Sequence, residues 1–254
     1  MALTLGTDIT THTNNGVILN MTSNPPSDSN SGVCLVLLHR GDDLAAWTAP
    51  ADGHTWTKQF ENYDAGSSSS SWLTLFTTTY NNADSTGGNW DSHAGSNHHL
   101  VGRMFHVFGD PTVTESSLVV GSTHAADHPV SGSSFDQTLS AESSLTNKLV
   151  EIVVSTFEQT RLSLGGYDDQ TITLDGTLTS FGTFTNFLST GQGQRRGDSV
   201  AYRTSSVGAA ATNTWGYGGT TAWPYFHMMR ICLGTVGQDH WAWAEQGLDS
   251  WQVV

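Results

Sequence analysis

The sequence predicts an all-β protein, an antiparallel β-sandwich of jelly-roll type with two halves that repeat one another. Three observations predict it. Only 13% of the 254 residues are charged, Lys occurs just twice (Lys58 and Lys148), and Gly (27 residues), Ser and Thr are abundant. That profile suits strands and turns, and it lacks the Ala, Leu, Glu, Lys and Arg on which helices lean. Apolar and β-branched runs of strand length recur along the chain, each bounded by Gly, Asn, Asp, Ser or Pro. The third observation is an internal repeat, taken up below.

In chain order the predicted strands are residues 16–21, 33–39, 71–80, 100–108, 118–121, 149–156, 171–174, 181–188, 199–204 and 225–233. Residues 33–38 (VCLVLL) and 152–154 are apolar without a break, which predicts strands covered on both faces. Thr171-Ile172-Thr173-Leu174 alternates, as a strand does when one face meets water. Residues 136–149 (DQTLSAESSLTNKL) are the best helix candidate, but the apolar spacing is irregular and Ser and Thr dominate, so a loop or short helix is expected. The turn-rich stretches 22–32, 64–71, 81–97 and 205–221 read as long loops gathered at the ends of the sheets.

The repeat is carried by three pairs of residues, each 125 positions apart: Trp90 and Trp215, Met104 and Met229, Gly109 and Gly234. In both places a Ser-led strand runs into a Gly/Asn/Ala-rich loop, then the Trp, then an apolar strand rich in Met and aromatics. The expected halves are about 16–110 and 149–235 within one β-sandwich domain, 1–237, because no linker of distinct composition separates them. Residues 238–254 form a separate Trp-rich segment.

Nine basic against 23 acidic side chains give a formal charge of −14, a field that repels phosphate backbones and anionic lipid, so neither nucleic acid nor membrane is an expected partner. The opening MALTLGTDITTHTNNG does not read as a secretory signal, and no run reaches the length of a membrane span. Cys34 and Cys232 sit inside apolar runs (VCLVLLH and MMRICLG), where two reduced, buried thiols are expected. Asn20-Met21-Thr22 matches a glycosylation acceptor, but without a secretory signal it reads as a chance match.

The order of features is similar to that of a known family. CLVLLHRGDD at 34–43, the Trp-Thr-Ala-Pro turn at 47–50, the second aromatic Trp56, and the strand closing on Gly-Asp-Pro (FHVFGDP, 105–111) resemble phage virion proteins with a β-sandwich or jelly-roll module. Residues 199–202 and 223–233 resemble the family's closing strands, and the likeness spans about residues 16–235. It implies a structural protein of tail, fibre or head-decoration type, located in the virion, with other virion proteins and further copies of the chain as partners.

No catalytic set is legible. G-x-S-x-G, phosphate-loop, dinucleotide and His-Glu-x-x-His patterns are absent, and Glu142, Glu151 and Glu158 are dispersed rather than paired as glycoside hydrolysis needs. No enzyme activity and no cofactor are expected. Eleven histidines raise the question of a metal: His124 and His128 with Asp127, and His93 with His98 and His99, have chelating spacing, but solvated loop residues are the expected reading and no metal is assigned. Asn82, Asp84 and Asp91 lack the terminal Glu of a calcium loop. Arg-Gly-Asp occurs at 40–42 and at 196–198, where a strand-ending turn is expected rather than a cell-adhesion site.

The aromatics are the candidate contact residues. Trp47, Trp56, Trp90, Trp215 and Trp223 lie in or beside loops; core packing accounts for most of them, and flat faces left over suit sugar rings or protein pockets. Trp241, Trp243 and Trp251 crowd the C-terminal segment and are expected to bury against the domain or a neighbouring subunit. The residues singled out for an interface or a glycan are therefore Trp47, Trp56, Trp241, Trp243 and Trp251. The expected function is assembly of a virion, with recognition of a host surface glycan as the alternative.

Overall fold

A computed structural model describes residues 3–6, 9–14, 18–23, 31–41, 47–65, 70–81, 86–91, 99–127, 134–161, 171–188, 194–216 and 222–236. Sixteen strands occur there: β1 Thr4–Leu5, β2 Ile9–Asn14, β3 Ile18–Ser23, β4 Ser31–Gly41, β5 Thr57–Ala65, β6 Ser70–Asn81, β7 Thr86–Asp91, β8 His99–Phe108, β9 Val119–Asp127, β10 Ser134–Leu139, β11 Val150–Arg161, β12 Thr171–Thr173, β13 Thr179–Leu188, β14 Gln194–Arg203, β15 Ala211–Gly216 and β16 Ala222–Leu233. Short 3-10 turns cover Glu115–Ser117 and Ser143–Leu145. Every pairing is antiparallel. The all-β sandwich expected from the sequence is the observed fold.

Two large sheets form the middle of the molecule. One runs β1/β2-β8-β4-β6-β5 and the other β9-β16-β11-β14-β13; two small sheets, β3-β7 and β10-β15-β12, complete the set. The strand order is thus the same twice. In each copy the first strand neighbours the last (β2 with β8, β9 with β16), the third lies inside them (β4, β11), and the second pairs with the penultimate one in a separate layer (β3 with β7, β10 with β15), which is jelly-roll connectivity. The second copy begins at β9, earlier than the 149 expected from the sequence, and it contains one added strand, β12.

Side-chain alternation explains the layering. Val33, Leu35 and Leu37 of β4 point to one side and meet Val150, Ile152 and Val154 of β11, with Phe105, Val107, Met229 and Ile231 in the same core. Cys34, Val36 and Leu38 point to the other side, where Leu19, Met21 and Trp90 of the β3-β7 pair cover them. Phe157 and Phe226 are likewise covered by Trp215 on the outer β15. The central strands of each large sheet are therefore buried on both faces, which is why they carry unbroken apolar runs. The sandwich expected as one pair of sheets has a further layer on each side.

The repeat pairs behave unequally. Trp90 and Trp215 both sit in outer strands and are wholly buried, and Gly109 (φ 98°) and Gly234 (φ 70°) both leave the last strand in the left-handed region. Met104 and Met229 do not correspond: Met104 faces the outer layer and Met229 the core between the large sheets. Because strand faces alternate with every residue, a one-position slip in the sequence match reverses the face.

The loop or short helix expected at 136–149 is instead the second half of β10 followed by a single 3-10 turn.

Candidate functional site

The described surface carries a trough of about 400 Å³ lined by Asp52, Gly53, His54, Thr55, Thr78, Thr79 and Glu115. Its floor follows from strand lengths. β5 begins opposite Thr77, so Thr78 and Thr79 of β6 continue past it, with no strand on that side among the described residues. The loop 52–55 fills part of the gap and Glu115 of the first 3-10 turn closes it.

Asp52 holds that loop in place. Its Oδ1 accepts from the backbone N–H of His54 (3.1 Å) and the indole Nε1 of Trp56 (3.1 Å), and its Oδ2 accepts from the N–H of Gly87 (2.7 Å). His54 Nδ1 lies 3.3 Å from the same carboxylate. Burial raises the carboxyl pKa, but these donors and the His54 ring outweigh it and hold Asp52 below the ordinary range. Gly87 is required at its place: with φ 98°, an added Cβ would run into the Met21 carbonyl oxygen. On the far wall, Thr77 Oγ1 donates to Glu115 Oε1 (2.7 Å) and itself accepts from Gln59 (2.9 Å), while Thr78 Oγ1 donates to the Thr55 carbonyl (3.0 Å).

The tryptophans expected as contact residues take other roles. Trp47 is 5% exposed within the outer core of the first copy. Trp56 is half-buried; its ring meets Trp90 edge-on at 4.8 Å while its nitrogen serves Asp52. Trp241, Trp243 and Trp251 lie outside the described residues. Trp90 and Trp215 are core, and of Trp223 only the strand backbone is described.

Three buried polar centres look reactive at first sight. Thr86 Oγ1 stands between Cys34 Sγ (3.8 Å) and His106 Nε2 (3.2 Å), with Tyr80 edge-on to the imidazole at 4.5 Å. Burial drives the two groups in opposite directions: the Cys34 thiol goes up to about 12 and His106 down to about 4. At neutral pH both are uncharged, the reverse of an activated thiolate–imidazolium pair. Cys232, the other free and buried thiol, is also pushed up to about 12, first by burial and then by Glu151.

The second centre joins the two large sheets. Arg103 Nη1 donates to Asp198 Oδ2 at 2.8 Å, and Nη2 donates to the Phe181 carbonyl at 3.2 Å. His39, Thr156 and Asp198 line a void of about 10 Å³ beside it, about the space needed for the centre of one water, and the His39 and His227 rings meet edge-on at 6.4 Å. His227 is lowered to about 4 by burial and then by His124. The Arg-Gly-Asp at 196–198 is therefore strand β14, with its Asp locked in an internal ion pair; the one at 40–42 ends β4, and its Asp42 lies outside the described residues.

The third centre is Glu151, fully buried between Arg203 and Arg230. Arg203 Nε and Nη2 reach its two oxygens at 2.9 and 3.0 Å, Arg230 Nε lies 3.0 Å away, and the Gly208 N–H donates at 2.7 Å. The arginines also donate to the Ala209 carbonyl, so the cluster fastens loop 207–210 to the second sheet. Every oxygen of Glu151 is thus engaged in structure. Among the described residues no group of three or more His, Cys, Asp or Glu could hold a metal ion. His124 stacks on Phe135 at 6.3 Å, and His93, His98 and His128 lie outside the described residues.

Sequence reasoning missed the trough because its walls come from positions 52–55, 78–79 and 115. The one local signal was Asp52-x-His54-x-Trp56, an aspartate followed by the donors that satisfy it. Fold and site together define an all-β protein of two stacked jelly-roll-like units with a polar surface trough. Comparison of the chain with family models, curated proteins and solved structures gives no match.

Proposed function

We propose that the chain is a non-enzymatic structural subunit of a bacteriophage particle, in the tail or its fibres or as a head decoration, acting through assembly with other virion proteins and copies of itself. The observation that supports this reading is the doubled jelly-roll connectivity, with the central strands of both large sheets buried on both faces. Jelly rolls recur as capsid building units and as lectin domains. A four-layer block of this kind holds its shape and offers loops and sheet edges for contact. The charge of −14 keeps such a subunit off the packaged nucleic acid and favours solubility before assembly.

The test is deletion of residues 239–254, which removes Trp241, Trp243 and Trp251. Analytical ultracentrifugation is expected to show a multimer for the full chain and a monomer for the truncated one, with identical β-rich circular dichroism. A full chain that stays monomeric at all concentrations, or a truncated chain that still assembles, counts against the proposal.

A further inference from the structure

We infer that the trough at Asp52, His54, Thr79 and Glu115 is a binding site for a hydroxyl-rich small ligand, a neutral or amino-bearing sugar unit. The inference stands whether or not the chain belongs to a virion. Four features of the geometry select this class of ligand.

The volume, about 400 Å³, lies in the range of small-molecule sites, roughly 300–1,000 Å³. The lining is polar throughout: two carboxylates, an imidazole and three threonines, with no large apolar side chain. An apolar ligand gains nothing there, and an anion meets the charges of Asp52 and Glu115.

A divalent cation is also disfavoured. Calcium takes six to eight oxygen ligands, yet both Asp52 oxygens already accept hydrogen bonds and Glu115 Oε1 accepts from Thr77. What the trough offers is a set of separate acceptors and hydroxyls: Glu115 Oε2 and the exposed hydroxyls of Thr55 and Thr79. Spaced hydroxyls of a sugar match spaced acceptors, and an ammonium group gains further from the two negative charges.

The walls are fixed before any ligand arrives. Asp52 ties the loop to Gly87, Thr78 ties it to β6, and Thr77 fixes the Glu115 carboxylate. A preorganised site loses little conformational entropy on binding. No tryptophan stacking is needed, which separates this site from one built on Trp47 and Trp56.

Saturation-transfer NMR and calorimetry on the full chain with glucose, galactose, N-acetylglucosamine and glucosamine test the inference. At least one is expected to bind. Thr79→Trp and Thr55→Trp, each a bulky replacement at an exposed lining position, are each expected to abolish the signal, while thermal unfolding stays that of the parent. Glu115→Gln is expected to weaken binding about tenfold, and to weaken glucosamine more than glucose. Three results overturn the inference: no sugar in the panel binds; binding persists at full strength in both Trp variants; or binding disappears with a chelator and returns with calcium.

Discussion

Neutralising one side of the Arg103–Asp198 pair tests how the two large sheets are joined. The pair bridges the two large sheets at 2.8 Å, with side chains only 2% and 5% exposed. At that separation and an effective dielectric of about 20, the attraction is roughly 6 kcal/mol, and desolvating each ion offsets several kcal/mol of it. The net worth of the intact pair is therefore near zero, whereas removing one partner strands the other charge. Arg103→Met alone and Asp198→Leu alone are each expected to cost about 3–5 kcal/mol, and the double variant much less than their sum. Equilibrium denaturation in guanidinium, read by tryptophan fluorescence and circular dichroism, measures all three. Single variants within about 1 kcal/mol of the parent, or a double variant as costly as the sum, would refute the placement of this pair between the sheets.

Other outcomes follow from the buried titratable groups. His106 and His227 fall from 6.5 to about 4 on folding, so the unfolded chain binds their protons first: stability is full above about pH 6.5 and is lost as the pH falls towards 4. Each contributes about 3 kcal/mol to that loss, and His227→Asn is expected to flatten the acid limb of a stability–pH curve; an unchanged limb in that variant argues against burial of the ring. Both thiols are buried and pushed up to about 12, so a thiol-specific disulfide reagent should label neither cysteine in the native protein at pH 8 and both in guanidinium. Trp90→Ala and Trp215→Ala each empty a fully buried site and should cost about 3–5 kcal/mol; a cost confined to one of them would show that the two outer layers are not equivalent.

The layers differ in how far the sequence announces them. Strands β4, β8, β11 and β16 are legible because both of their faces are buried and each carries a run of apolar residues, such as 33–38 in β4 and 152–154 in β11. The outer strands β7 (TGGNWD) and β15 (ATNTWG) read as loop because Gly, Asn and Thr fill them, and what they bury besides the tryptophan is small or polar: Thr86 and Gly87 in β7, Ala211 and Asn213 in β15. β10 hid for the same reason, since only Gln137 and Leu139 of its six residues are buried. The repeat was visible through Trp90 and Trp215, which cap equivalent strands, but the methionines that seemed to share it face opposite ways. The trough was illegible because strand β5 stopping short of Thr78 is a property of register, and register is not written in any local run.

The neighbourhood of first and last strands has a practical side. Thr4 lies opposite Phe108, Val119 lies opposite Cys232, and the connector between the two copies is stitched to the last strand through Gly234 N–H to Ser117 and Thr235 N–H to Thr112. Thr79 and Glu115, on the trough wall, belong to this same pole, since Thr79 pairs with Val33 and Val33 with Val107. Residues 4 and 235 thereby stand at the pole that carries the depression, whereas immobilisation through the far ends of β4 and β11 would leave that pole open to solution.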